Sequence, residues 1–170
     1  MTEIGSRVYP VLHEDDTATR LGSKTDDVFI EVRKERIPRP LENLAIHYRT
    51  FFPSGEIIKP GDAEEYVKVN GRNAYKVVFA PKYVRHRERV PTDAPTDSTK
   101  PGWTRKKTTD PESGETIEAV YSPVMPRYRV LYLVEGDRYI YYIFMRADGP
   151  AAESAKEALN KLVYQGIKYR

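Results

Sequence analysis

The sequence has no cysteine and only three histidines among its 170 residues. Without cysteine there is no disulfide framework, no thiolate site for zinc or an iron–sulfur cluster, and no cysteine nucleophile. His13, His47 and His86 lie far apart in the sequence, which excludes a zinc site with two histidines on one helix. We therefore predict no metal and no cofactor.

Long apolar runs are also missing. The longest are about five to seven residues, whereas a membrane-spanning helix needs about 20. The segment Met1–Asp16 lacks the basic start and apolar stretch of a signal peptide. We expect no transmembrane segment. The location is the periplasm or cell envelope if a signal segment was removed, and the cytoplasm otherwise.

Local catalytic motifs are absent as well. The sequence has no G-x-S-x-G, no P-loop and no G-x-G-x-x-G, so nucleophilic hydrolysis and phosphate binding have no local support. We assign no catalytic residue and predict that the protein is not an enzyme.

The first half of the chain predicts strands followed by a helix. Arg7–Leu12 is a short strand candidate, and Val28, Ile30 and Val32 alternate with larger or charged residues, as in a half-buried strand. Pro38 and Pro40 then favour a helix start. An amphipathic helix of about twelve residues is predicted next, because five apolar residues recur at helical spacing, namely Leu41, Leu44, Ala45, Tyr48 and Phe52.

Three hairpins follow in the sequence. Asn70-Gly71 between two strand-like runs is a strong hairpin signal, because both residues accept the positive φ of a type I′ turn. Two further hairpins join 103–109 to 115–121 and 128–134 to 138–145. The second has mostly polar strands and is expected to project into solvent. The third is apolar enough to be buried on both sides or central in a sheet.

A last helix is predicted after Gly149-Pro150, where Ala155, Ala158 and Leu159 belong to an apolar stripe. Strands grouped in hairpins, with only two helices, indicate an α+β fold with an antiparallel sheet and helices packed on it. We predict a single domain over residues 1–170, with a polar basic loop and hairpin inserted at about 81–121.

The positive charge is concentrated in one segment. Residues 81–109 carry eight basic and three acidic side chains, whereas the segments before and after each carry one more acid than base. This predicts a basic patch that binds an acidic protein surface, an anionic lipid head group or a polyanion. An equally weighted alternative is a solvated edge strand whose charges prevent aggregation. The predicted patch consists of Arg85, Arg87, Arg89, Arg105, Lys106 and Lys107.

Tyrosines are concentrated on the third hairpin. Tyr139 and Tyr141 share one strand face, while Tyr142 lies on the other. One face is expected to be core and the other a half-exposed aromatic patch, which suits a sheet surface but also a ligand platform. The alternative ligand site consists of Tyr132, Tyr139 and Tyr141. Nucleic acid is not favoured, because no RNP-like run accompanies the aromatics.

The order of these elements resembles the Mog1/PsbP-like superfamily. The similarity covers about residues 28–169 and rests on the hairpin Val69-Asn70-Gly71-Arg72-Asn73-Ala74-Tyr75 and on Tyr141-Tyr142-Ile143-Phe144, followed by a helix with Ala155 and Leu159. The resemblance implies a non-enzymatic α/β/α sandwich used for binding. Relatives include a nuclear-transport factor that binds a small GTPase, extrinsic photosystem subunits and bacterial envelope lipoproteins.

We thus expect a non-enzymatic binding or scaffold module of the bacterial cell envelope, with a protein partner or an anionic membrane surface recognised through the basic insertion. The alternative is a small-ligand binder or enzyme with an aromatic cleft between sheet and helix.

Overall fold

A computed structural model describes most of the chain as two compact units, Met1–Lys82 with Arg127–Arg170, and Tyr83–Pro126. No helix among the described residues is long and apolar enough to cross a membrane. The described residues are 2–4, 7–9, 11–14, 18–22, 27–37, 41, 43–51, 58–90 and 101–170.

Twelve strands and two α-helices make up the described part of the chain. The strands are β1 Thr2–Ile4, β2 Arg7–Tyr9, β3 Val11–Glu14, β4 Ala18–Gly22, β5 Val28–Arg36, β6 Ala63–Val69, β7 Arg72–Val84, β8 Arg87–Arg89, β9 Thr104–Thr109, β10 Thr116–Tyr121, β11 Met125–Glu135 and β12 Tyr139–Asp148. The helices are α1 Leu44–Phe51 and α2 Ala152–Lys161. This is the mixed α+β composition that the sequence predicts.

The first unit contains a seven-stranded sheet in the order β3-β4-β5-β12-β11-β7-β6. Strand β12 pairs antiparallel with β11, its hairpin partner, and with β5, which comes far earlier in the chain. The β11–β12 hairpin therefore occupies the centre of the sheet, as its apolar sequence predicts.

Each face of this sheet buries a separate apolar cluster with one helix in it. Leu131, Leu133 and Tyr142 pack with Leu44 and Tyr48 of α1. The alternating residues of the same strands pack with α2, among them Tyr132, Tyr141 and Ile143 together with Ala155 and Leu159. Because successive strand residues point to opposite faces, the two helices lie on opposite faces of the sheet. The expected half-exposed face of the third hairpin is thus wrong, since helices cover both faces.

The turn between β6 and β7 has the predicted geometry. Asn70 and Gly71 have φ values of 51° and 80°, and the register pairs Val69 with Arg72 directly across the turn. Two positive φ angles define a type I′ turn, whose twist matches that of the strands. The Asn-Gly hairpin prediction is confirmed.

Helix α1 begins later than its apolar stripe predicts. The Asn43 side-chain oxygen accepts a hydrogen bond from the Ile46 N–H at 2.8 Å, which caps the first turn. Leu41 therefore lies outside the helix. On its sheet side α1 buries His47 and Tyr48, and Arg49 donates to Glu64 of β6 at 2.7 Å, so the helix is also held by a polar contact.

The last helix forms where the sequence predicts it. Gly149–Ala151 makes a single 3₁₀ turn before α2, and Leu162–Gly166 widens into a π-helical turn after it. Ala155, Ala158 and Leu159 are all buried, as the apolar stripe requires.

One ion pair of the seven-stranded sheet contains an almost fully buried carboxylate. Arg127 on β11 makes two hydrogen bonds to the Asp148 carboxylate on β12, at 2.7 and 2.9 Å. The Asp148 side chain is only 2% exposed. A bidentate pair of this kind fixes the register of the two strands at one end of the hairpin.

The second unit contains a three-stranded sheet in the order β8-β10-β9. The predicted hairpin forms as β9 and β10, but β10 is the central strand and not a solvated arm. Ile117, Ala119 and Val120 are 7%, 0% and 9% exposed. The expectation that this hairpin projects into solvent fails for β10, because β8 pairs with the edge of β10 that β9 leaves free. Strand β9 is largely exposed.

The N-terminal segment differs from its prediction. The strand expected at Arg7–Leu12 is two strands, β2 and β3, and β3 continues into His13 and Glu14. Strand β4 follows within a stretch that is polar in part, and it pairs with β5. Strand β4 is stabilised by pairing with the edge of the sheet at β5, and its weak local sequence pattern does not predict this pairing.

Candidate functional site

Three basic side chains share one face of the three-stranded sheet. The register places Arg89 of β8 and Lys106 of β9 on either side of Ala119, and Arg87 on the next rung beside Tyr121. Directly opposed residues in an antiparallel sheet project to the same face. We call Arg87, Arg89 and Lys106 the cationic face. All three side chains are exposed.

The opposite face of the same sheet is balanced in charge. It carries Glu88 and Glu118 against Arg105 and Lys107, by the same register. Arg105 donates from Nε to Glu118 Oε2 at 2.7 Å and makes a second hydrogen bond to that oxygen from its terminal nitrogen. The acids of this face therefore neutralise its bases.

The structure divides the six predicted basic residues into three groups. Arg87, Arg89 and Lys106 lie together on the cationic face, whereas Arg105 and Lys107 lie on the opposite face. Arg85 lies between β7 and β8, outside both strands. The sequence shows the alternation of Arg87 and Arg89. Their position beside Lys106 depends on the pairing of β8 and β9 with β10, which the sequence does not show.

None of the three cations of the cationic face forms an ion pair with a carboxylate in the described parts of the chain. Apart from Glu118 on the opposite face, the acids of the β9–β10 hairpin (Asp110, Glu112 and Glu115) lie at its tip, beyond the Thr108–Ile117 pair. There, the pKa of Asp110 is lowered mainly by hydrogen bonds from the Ser113 hydroxyl and the Glu112 N–H, with smaller contributions from the charges of Arg89 and Arg87.

Net charge alone would not identify this surface. Between Tyr83 and Pro126 the chain has seven basic and seven acidic side chains, so the second unit is formally neutral. What distinguishes the cationic face is the separation of its bases from the acids of the same sheet.

The predicted aromatic site is part of the core beneath α2. Tyr132 is 2% and Tyr141 is 7% exposed, and Tyr139 is half-buried against the same cluster. The Tyr141 hydroxyl accepts the Arg170 N–H at 3.0 Å and donates to the Lys168 carbonyl at 3.3 Å. Burial raises the pKa of Tyr132. These tyrosines hold the C-terminal segment on the sheet.

A cavity lies on the other face of the sheet, beside the start of α1. Its volume is about 490 Å³, and none of the three core tyrosines lines it. The described residues that line it are Leu41, Asn43, Leu44, Tyr66, Val67, Lys68, Asn73, Ala74 and Glu135. Sequence reasoning missed it, since its polar residues come from the β6–β7 hairpin, from β11 and from the residue before α1, which meet only in the folded protein.

The histidines and carboxylates do not gather into a metal centre within the described ranges, where no group of three or more is placed to hold an ion. His47 is 2% exposed on the sheet side of α1. Burial lowers its pKa, and the negative charge of Glu35 opposes that effect. Its surroundings are those of a core histidine.

Comparison with known proteins gives no match: no family model fits the sequence, and no curated protein or solved structure is significantly similar to it. The cationic face and the cavity are therefore the features of the molecule that bear on its function.

Proposed function

We propose that the protein is a non-enzymatic binding module whose cationic face recognises an acidic segment of a protein partner. One observation carries this proposal: three exposed cations share one face of a sheet and no described carboxylate pairs with them, while the opposite face is neutralised by its own acids.

The spacing of the cations suits an extended acidic chain. Arg87 and Arg89 are two residues apart on one strand, which separates them by about 6.8 Å. A partner strand with acids at alternate positions repeats at the same distance. Lys106 lies two strands away from Arg89, at about 10 Å, and reaches a third carboxylate. Arginine adds a planar fork that binds carboxylates through two hydrogen bonds.

A binding titration tests the proposal. A labelled peptide of alternating Glu and Ser is expected to bind the full chain, and binding should weaken as ionic strength rises from about 0.01 M to about 0.15 M. The triple variant Arg87→Glu, Arg89→Glu, Lys106→Glu should lose about tenfold or more in affinity. Thermal unfolding of the variant checks that the fold persists.

Two other polyanions are run beside the peptide. If the peptide does not bind but vesicles rich in anionic lipid bind tightly through the same three residues, the partner is a membrane and not a protein. If single-stranded DNA binds in that way instead, the partner is a nucleic acid. Equal peptide binding by the wild type and the triple variant would show that the cationic face does not bind the peptide.

We also propose that the first unit is a Mog1/PsbP-type α/β/α sandwich in a bacterial envelope protein. The antiparallel sheet with one helix on each face and the Asn70-Gly71 hairpin support the fold. The envelope location has the sequence resemblance as its support. Fractionation of the source cells tests it, and recovery of the protein in the cytoplasm would contradict it.

A further inference from the structure

The cavity beside α1 has a row of polar side chains along one wall. Lys68 on β6 donates from Nζ to Asn73 Oδ1 at 2.5 Å, and Asn73 on β7 donates from Nδ2 to Glu135 Oε2 at 3.5 Å. β6, β7 and β11 are adjacent in the sheet. An ammonium group therefore stands at one end of the wall, a carboxylate at the other and an amide between them.

Neither end of this row is neutralised directly. In the described parts of the chain, Lys68 forms no ion pair and Glu135 forms none. The bridging amide keeps their charged groups at most about 8 Å apart, given the two hydrogen-bond lengths and the short span of an amide group. The wall thus presents two opposite charges at a fixed separation.

Beside this wall the cavity has both apolar and polar lining. Leu41, which precedes α1, and Leu44, the first residue of α1, line it. The Tyr66 ring is 63% exposed, and its hydroxyl lies 3.5 Å from Asn43 Oδ1. A volume of about 490 Å³ falls within the range of small-molecule sites.

From this arrangement we propose that the cavity binds a small zwitterion of dipeptide size. Its carboxylate contacts Lys68, its ammonium group contacts Glu135, and its central peptide group lies over the Asn73 amide. The two residues of an extended dipeptide span at most about 7 Å, which matches the separation of the charged ends. An apolar side chain of the ligand packs on Leu41, Leu44 and the Tyr66 ring.

This inference is independent of the proposed acidic partner, because the cavity and the cationic face belong to different units. A zwitterion with no net charge gains nothing from the cationic face. The two proposals can therefore fail separately.

Calorimetry with the full chain tests the ligand class. Free leucyl-alanine is expected to bind with a Kd of about 1 mM or tighter. Its N-acetyl and C-amide forms each lose one charged end, and each should bind about tenfold more weakly. Glucose serves as the neutral polar competitor and should not bind.

Two variants identify the wall. Lys68→Met and Glu135→Gln should each weaken leucyl-alanine binding about tenfold, and Lys68→Met should also remove the preference for a free carboxylate. Glu65→Gln is the matched control, since Glu65 lies on β6 next to Tyr66, on the opposite face of the sheet. It should leave affinity unchanged.

The proposal is overturned if leucyl-alanine does not bind, if the blocked forms bind as well as the free dipeptide, or if both wall variants retain full affinity. Binding of glucose in place of the dipeptide, with the same loss in the variants, would reassign the cavity to a neutral polar ligand.

Discussion

The Arg127–Asp148 pair of the seven-stranded sheet and the cationic face of the three-stranded sheet hold their charges in opposite surroundings. In the seven-stranded sheet, the almost fully buried Asp148 is held by two hydrogen bonds from Arg127. In the three-stranded sheet, Arg87, Arg89 and Lys106 are exposed on one face. A buried charge must be paired to be tolerated, whereas an exposed one costs little when left unpaired. The Arg127–Asp148 pair is therefore assigned to the stability of the fold, and the charges of the cationic face are available to a partner.

Removing the buried charge should have the largest effect on stability. Asp148→Asn keeps the shape of the side chain but leaves the Arg127 guanidinium without its counter-charge. We expect a loss of about 3 kcal/mol in the free energy of unfolding, the lower end for a broken buried pair, because Arg127 is 26% exposed and can be hydrated. Urea unfolding measures it.

Exposed charges should contribute much less to the free energy of unfolding than the buried charge of Asp148 does. Asp137→Asn removes the partner of Arg72 in a solvent-exposed pair and should change stability far less than Asp148→Asn. The triple substitution on the cationic face should also leave the free energy of unfolding nearly unchanged. A loss in either case comparable with that of Asp148→Asn would contradict the distinction between buried and exposed charges.

A smaller effect is expected at the turn of the seven-stranded sheet. Gly71 has a φ of +80°, and no atom lies within 4 Å of where a Cβ would stand. Gly71→Ala therefore introduces backbone strain without a clash, and we expect a loss of about 1 kcal/mol. Urea unfolding of this variant beside Glu65→Ala, an exposed change on β6, gives the measurement. An unchanged midpoint for Gly71→Ala would contradict the I′ geometry.

The smallest effect concerns pH. Burial lowers the pKa of His47, so the folded state disfavours the imidazolium. The unfolded chain takes up this proton near the ordinary value of 6.5, and stability should therefore be full above that pH and decline as pH falls through it. His47→Gln should remove this part of the decline between pH ~7.5 and ~5.5. An identical pH dependence in both proteins would show that His47 is not held neutral.

Much of the first unit follows from local pattern. The Asn70-Gly71 turn and the apolar β11–β12 hairpin depend on signals within a few residues, and both appear as predicted. The start of α1 was not predicted correctly. An apolar stripe shows which face of a helix is buried, but it does not show at which residue a cap such as Asn43 begins the helix. Strand β4 was not predicted, because it is stabilised by long-range pairing with β5 and not by a local sequence pattern.

The candidate sites were predictable only in part. The sequence points to Arg87 and Arg89 by their alternation, but Lys106 and Lys107 are neighbours that only the register assigns to different faces. The cavity wall of Lys68, Asn73 and Glu135 combines three strands, one of them distant in sequence from the other two. Such juxtapositions are set by long-range pairing, which no local pattern contains.

Lys106 and Lys107 provide the most direct test of the cationic face. They are adjacent exposed residues of β9 on opposite faces, so Lys106→Glu and Lys107→Glu change the net charge equally. The measurement is the affinity of each variant for the alternating Glu and Ser peptide at low ionic strength. We predict that Lys106→Glu weakens binding about fivefold more than Lys107→Glu. An equal loss in both would show that the peptide senses only overall charge, and would contradict recognition by one face of the sheet.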